Sequence, residues 1–440
     1  MYKSTRILLC LLALLSSAAM AYTPQFADEA NNVRLRWKNT TIKIALSNSL
    51  TRQNPNIKPG SDVVTAVQRS LETWEKVANI TFQINWTEKQ SLSPAGNSGD
   101  GSSLITIAQT TENLLFFGSD SYEVPARTRT FFNRKGAISE ADIVLNPYQQ
   151  FSTDGSIGTF DLQAVLTHEI GHLLGLDHSF IIGATMNEHQ GKNGIYNLPA
   201  FNPRTLAEDD IAGIRSLYGA NEGEESCCGT INGKLSLGGK AAKNFQVWAE
   251  DLATSRVIAG VMTNSDGSFR IEGLPAGEYE LYSQKTGERP GGSFSSRSLG
   301  EVTVQNGKTL DFARRLQAKP DVSNLRFLGF NSQISSLAVS VNSGKSYVIY
   351  LGGKNFDLNE TSVFFGSPLI TVTPNTFIKD DYGSDISVIS FEIKVDAKTP
   401  PGEYGIFVKT RNGFTECLAG GLIVDAFEDT GTGGISTGNE

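Results

Sequence analysis

The stretch His168-Glu169-Ile170-Gly171-His172-Leu173-Leu174-Gly175-Leu176-Asp177-His178 constrains the fold of this chain more than any other. Residues four apart on a helix share a face, so His168 and His172 present two imidazoles to one point, one turn apart. Glu169 stands beside that point without being needed as a ligand. A third ligand from the next helical turn would lie too far along the axis, so the chain must bend. Gly175 takes a left-handed conformation at no side-chain cost and can end the helix there, returning His178 to the same point. Three neutral imidazoles leave one coordination position open, the mark of a catalytic zinc. The bland alternative is a pair of packing histidines at a chance H-E-x-x-H spacing. Two facts weigh against it: the extension to Gly175 and His178, and a chain with four histidines of which three fall in this motif.

The 440 residues suggest more than one domain. Lys3 and Arg6, the apolar run Ile7 to Leu15 and the small-x-small triplet Ala19-Met20-Ala21 read as a signal peptide over 1–21. No later apolar run is long enough to cross a bilayer, so an exported chain without a transmembrane segment is expected. The formal charge of -8 is spread along the chain with no basic stripe, which argues against nucleic acid as a partner. Residues 22–220 read as mixed α/β. Ile42, Ile44 and Leu46 alternate as in a strand, and strands are expected near 80–84, 104–108, 126–132 and 138–145. Val64, Val67, Leu71, Trp74 and Ala78 predict a helix over 61–78 with Ser61 as N-cap. Further helices are predicted over 161–174, carrying the motif, and 206–218, closed by Gly219. After a polar linker at 221–227 the chain turns all-β, with turn signals every ten residues or so. Pro-x-Gly-Glu-Tyr occurs at both 275–279 and 400–404. This predicts two sandwiches, 228–317 and 320–426, before a disordered Gly/Thr/Ser tail at 427–440.

The motif residues resemble the metzincin signature, with Met186 as the Met-turn that follows it. Ser179, the segment Leu206 to Gly219 and Ile138-Ser139-Glu140-Ala141-Asp142-Ile143 resemble the matrixin branch. The resemblance covers roughly residues 30–220. It implies a metzincin catalytic domain with a twisted mixed sheet and an active-site helix, so the fold class is multidomain, α/β (α+β) followed by two all-β immunoglobulin-like sandwiches. It implies one catalytic Zn2+ on His168, His172 and His178, Glu169 as general acid/base, and a secreted endopeptidase acting on protein or peptide substrates. An extended peptide would add to the edge strand Ala126, Arg127, Thr128, Arg129 and Thr130. A pocket bordered by Ile181 to Pro199 would take a hydrophobic residue after the cleaved bond. The family's propeptide cysteine, its second zinc and the Tyr or Pro after the Met-turn are not found. Asn187 and Glu188 stand at the last position, and His189 is the one spare histidine.

Several readings stay open. Asn97, Asp100, Glu140, Asp142 and Asp154 are either ligands of one structural Ca2+ or solvated turn residues. Of Cys227, Cys228 and Cys417, one of the first two could bridge to the third. Residues 228–317 resemble a carboxypeptidase-regulatory-like sandwich and 320–426 an IPT/TIG-like one. They would bind substrate or a cell-surface or matrix ligand, or act as spacers. The alternative function is an adhesion or matrix-binding protein with a catalytically incidental metal domain. Loss of Glu169 or a histidine would favour it, and all four residues are present.

Overall fold

A computed structural model describes residues 24–425 apart from 29–31, 53, 97, 119–123, 196–203, 222, 224–226, 286–292, 318–319, 322–323, 355–360, 384–385 and 410–412. The expected signal peptide at 1–21, the tail at 427–440 and Asn97 lie outside the described residues. Among the described residues no helix is long and apolar enough to cross a membrane.

The first part is built on one six-stranded mixed sheet. Its strands are β1 (Arg36–Trp37), β2 (Thr41–Ser47), β3 (Thr81–Thr87), β4 (Ser103–Thr106), β5 (Ala126–Phe132) and β6 (Ala137–Leu145). The order is β1-β6-β4-β2-β3, all parallel, with β5 antiparallel to β6. The β5–β6 hairpin turns through Asn133, whose side chain accepts from Lys135 and Ala137 N–H. β2 lies inside the sheet, so Ile42, Ile44 and Leu46 are buried, and so are Ala45 and Ser47.

Helix α1 (Val63–Glu75) starts one residue later than the sequence suggests. Asp62, not Ser61, is the N-cap, because its carboxylate accepts from Thr65 N–H at 3.1 Å. The α1 face Val63, Ala66, Val67, Leu71 and Trp74 is buried against α3 (Leu162–Leu173), and Trp74 Nε1 donates to Thr167 O at 2.9 Å. α2 (Thr111–Phe117), which no periodicity announced, sits under the β5 arginines, and α4 (Glu208–Tyr218) closes this part.

The remainder is β-rich. One sheet holds Cys227–Leu237, Lys240–Ala241, Ser268–Pro275 and Thr309–Leu316, and faces a five-stranded sheet that ends on Pro320–Asp321. Pro320 and Asp321 pair with Phe294 and Ser293, so they extend the earlier sheet rather than open the next. Two further sheets follow, with Val339–Asn342, Ser362–Phe365, Gly402–Lys409 and Thr415–Asp425 in one of them. Cys227 is bonded to Cys228 and Cys417 is free and buried, so the bridge to Cys417 does not form.

The β-rich parts do not hang off the first as separate beads. A buried cluster draws Ile181, Ala184 and Ala207 from the first part, Trp248 and Val257 from the second, and Phe407, Cys417 and Ala419 from the third. Polar contacts follow the same seams. Gly260 N–H donates to Asp209 at 2.7 Å, Cys417 and Gln284 exchange two hydrogen bonds, and Arg256 reaches Glu208 at 3.2 Å and Pro401 O at 3.3 Å.

Candidate metal centre

Helix α3 is nearly all buried, which is why its sequence is apolar around most of its circumference. Asp161 caps it by accepting from Ala164 N–H, and Arg204 holds that carboxylate at 2.7 Å. The helix stops at Leu174. Gly175 follows with φ +100°, its N–H on His172 O, and Leu176 N–H reaches back to Gly171 O at 2.9 Å. A Cβ at Gly175 would lie 2.4 Å from Leu35 O, so both conformation and space demand glycine there. The turn delivers His178 to the histidines of the helix.

Ligand nitrogens of His168, His172 and His178 lie within 4.8 Å of one another, and the Nε2 atoms of His172 and His178 are 3.2 Å apart. Tetrahedral zinc with nitrogens at about 2.0–2.1 Å needs nitrogen pairs roughly 3.3 Å apart; the His172–His178 pair meets that spacing, and the third nitrogen lies close enough to join it by a small ring movement. Each helical imidazole is also oriented from behind. His168 Nδ1 meets Thr185 O at 2.7 Å and His172 Nδ1 meets Leu176 O at 2.9 Å. A carbonyl fixes the proton on Nδ1 and leaves the Nε2 lone pair pointing inward. Burial holds all three imidazoles below their ordinary pKa, His178 at about 4, with the neighbouring histidines lowering His168 and His178 further. They are neutral, as ligands must be.

Glu169 is buried beside them. Burial raises its carboxyl to about 7, against a hydrogen bond from Thr128 Oγ1 at 2.5 Å that favours the charged form. Thr128 comes from β5, and its neighbours turn the other way as strand alternation requires. Arg127 donates to Phe116 O and Arg129 to Ser93 O, each at about 2.8–2.9 Å, and both lie over α2 rings. Of the five β5 residues singled out from sequence, Thr128 is the one in contact with Glu169. Ala126 is buried, Thr130 is half-buried, and β5 pairs with β6 alone among the described strands.

Residues 119–219 match the family described as Matrixin. The chain carries a matrixin-like domain. Metalloendoproteinase 1 of Glycine max is 29% identical over 201 residues, covering 42% of this chain and 53% of that protein. Metalloendoproteinase 1-MMP of Arabidopsis thaliana is 27% identical over 198 residues, 43% of this chain and 46% of its own. The interstitial collagenase of Equus caballus is 23% identical over 187 residues, 42% and 34% respectively. The chain thus spans about half the length of the first two relatives. Among solved structures, the major pilin subunit of Bacillus cereus covers 44% of this chain and 69% of its own at 14% identity. Its TM-score is 0.18, too low to bear on fold or function.

In the matrixin-like domain Met186 is fully buried beneath the helix. A Cβ at Gly171 would meet its Sδ at 2.3 Å, so the helix and the turn that carries Met186 touch where only glycine fits. Sequence reasoning missed what holds that turn. Asp210, buried on α4, accepts from Thr185 N–H at 2.8 Å, Met186 N–H at 3.0 Å and Ala207 N–H at 2.9 Å. Asp209 turns to Ser179 Oγ at 2.6 Å, directly after the third histidine. The only available signal was the acidic run opening α4, which reads more simply as helix-dipole charge.

Of the five oxygen donors weighed for calcium, Asn97 lies outside the described residues, and Asp100, Glu140, Asp142 and Asp154 do not form one ligand set. Asp142 accepts from Ser93 and Leu104 N–H, and burial raises it to about 6. Asp100 pairs with Lys89 at 2.7 Å, and Asp154 accepts from Ser156 N–H. Glu140 accepts from Gly101 N–H through Oε2, while its Oε1 is buried without a partner.

Proposed function

We propose that this chain is an exported zinc endopeptidase acting on protein or peptide substrates. The observation that carries the reading is Glu169, buried and held by Thr128 beside three imidazoles, two of which have their outer nitrogens fixed by carbonyls. His168, His172 and His178 would hold Zn2+, which would supply Lewis acidity toward water and the scissile carbonyl. Glu169 takes the proton of the attacking water and delivers it to the leaving amine. A carboxyl raised to about 7 by burial suits both transfers near neutral pH. Thr128 keeps it aimed at the histidines. The outer side of β5 offers main-chain groups to an extended peptide, a mode of binding that is largely blind to sequence. Export rests on the signal-like segment ending at Ala19-Met20-Ala21. The β-rich parts are read as carboxypeptidase-regulatory-like and IPT/TIG-like sandwiches. A structural cation at the unpartnered Glu140 Oε1 belongs to the same reading, and calcium titration of the unfolding midpoint tests it.

The test is cleavage of casein and a mixed peptide library by the full chain beside Glu169→Ala, with zinc content measured in both. Loss of about 10²–10⁴-fold in rate with zinc retained is expected for removal of the proton carrier. Equal cleavage by both proteins, or none by the parent with zinc bound, would sink the proposal. The second outcome would favour an adhesion protein.

A further inference from the structure

Beside His168 lies a cavity of about 80 Å3. Its inner wall belongs to the matrixin-like domain, with Ala164, Val165 and His168 from α3 and Ala184 from the turn that carries Met186. Its outer wall does not. Leu337, Ala338, Ser340 and Ile423 come from the last β-rich part, more than 100 residues beyond α4. Ser340 and Ile423 are register partners on the parallel strands Val339–Asn342 and Thr415–Asp425, so their side chains leave one sheet face together.

This outer wall is fixed rather than tethered. Ile182 N–H donates to Ala419 O at 2.9 Å. A Cβ at Gly183 would meet Gly420 O at 2.8 Å and Ile423 Cγ1 at 3.1 Å, so the backbone of the turn that carries Met186 lies directly on the strand. The charged group in the lining is already engaged: Asp161 caps α3 and is held by Arg204. Thr185, His189 and Gln190 add polar groups on the matrixin-like side and Ser340 one on the outer side, while the rest of the lining is apolar. An apolar cavity of about 150 Å3 is known to hold a benzene. A cavity near half that size suits a branched aliphatic side chain and excludes a large aromatic one.

We propose that the last β-rich part supplies the outer wall of the pocket for the substrate side chain nearest the cleaved bond, and limits that side chain to leucine-sized aliphatics. The inference rests on the protease reading above and adds that specificity is set from outside the matrixin-like domain.

The test uses the full chain and peptides varied on both sides of the cleaved bond, with kcat/KM read for each. Ala338→Trp fills the cavity from its outer side. It should lower kcat/KM for Leu peptides by about tenfold or more and leave Ala peptides within about twofold, since each methylene in such a pocket counts for roughly 10- to 200-fold. Leu337→Ala opens the wall and should raise Phe relative to Leu by about tenfold. Zinc content and unfolding midpoint verify that each variant is folded. If Ala338→Trp does not fold, Leu337→Ala carries the test alone, because it only removes atoms at a half-buried position. Variants that cleave with the parent's ranking of side chains overturn the outer wall while leaving the protease intact. A parent that does not cleave, or that is matched by Glu169→Ala, overturns both.

Discussion

Asp210 makes the sharpest demand on this account of the metal centre. It touches no histidine, yet its carboxylate takes three N–H groups: Thr185 and Met186 of the turn, and Ala207 at the start of α4. Burial holds the carboxyl at about 6, so at neutral pH it is mainly ionised. Thr185 O in turn fixes the His168 ring at 2.7 Å. Asp210→Ala would strand three donors in a buried site. Unsatisfied buried groups cost about 1–3 kcal/mol each, and losses within one network do not add in full, so roughly 3–5 kcal/mol is expected. Asp210→Asn keeps one acceptor oxygen and should cost about 1–2 kcal/mol.

The consequence for the metal is separate and more telling. Groups that orient a ligand typically control about 10- to 100-fold in metal affinity. Asp210 acts one step further out, through the Thr185 peptide, so about tenfold weaker zinc is expected for Asp210→Asn, read by competition with a chromophoric chelator. Denaturant unfolding of the metal-free chain separates this from the loss of fold stability. If Asp210→Asn unfolds earlier yet binds zinc within about twofold of the parent, the turn does not position His168, and the chain of contacts argued here is wrong.

Gly171→Ala should cost about 1–3 kcal/mol in denaturant unfolding, because the added methyl would meet Met186 Sδ at 2.3 Å and Trp74 Cζ2 at 3.0 Å. An unchanged midpoint would mean that the turn gives way freely. Thr128→Val removes the hydroxyl on Glu169 with little change of shape and should lower kcat/KM by about tenfold with zinc content unchanged, as one hydrogen bond to a charged group predicts. Burial raises Glu403 to about 8, helped by Asp210 and Glu208 and opposed by Arg256; burial likewise raises Glu250 to about 8, with Glu280 adding and the Trp248 hydrogen bond opposing. A carboxyl raised in the folded state binds its proton more tightly there than in the unfolded chain. Its contribution to stability is therefore present below about 4.5 and is lost as pH climbs through 8. The melting temperature should fall between pH 6 and pH 9, and Glu403→Gln should flatten that fall; an identical slope in the variant would refute the assignment.

The sequence was most legible where chemistry depends on local spacing. Two histidines four apart, a glycine and a third histidine specify their own geometry, and the structure brings all three rings together. Periodicity located α1, α3, α4 and the main strands for the same reason. It failed at α2, whose seven residues offer too few turns to establish a 3.6 repeat. It misplaced the α1 cap because Ser61 and Asp62 are both good caps, and only the Thr65 contact decides between them. Thr128 was named as part of a strand edge, with no way of knowing that its side chain would meet Glu169 across 41 residues. The roles of Asp209 and Asp210 were equally hidden, since adjacent acids at a helix start carry no mark of their separate targets.

What lay furthest from view was the relation of the β-rich half to the metal centre. From sequence, spacer and binding module were equally open. A spacer would join its neighbour through a polar linker and share little surface with it. Here Trp248 and Phe407 enter one buried cluster with Ile181 and Ala184, and Gly183 lies on the strand at Gly420. Loops of that kind tolerate change freely only when nothing packs on them. The turn that carries Met186 is instead clamped from two sides, by Asp210 of α4 and by Ala419 of the last sheet. A change in the β-rich half that shifts the Thr415–Asp425 strand must therefore be felt at Thr185 and, through its carbonyl, at His168. The histidine site and the β-rich half are better understood as one packed body than as a domain followed by appendages.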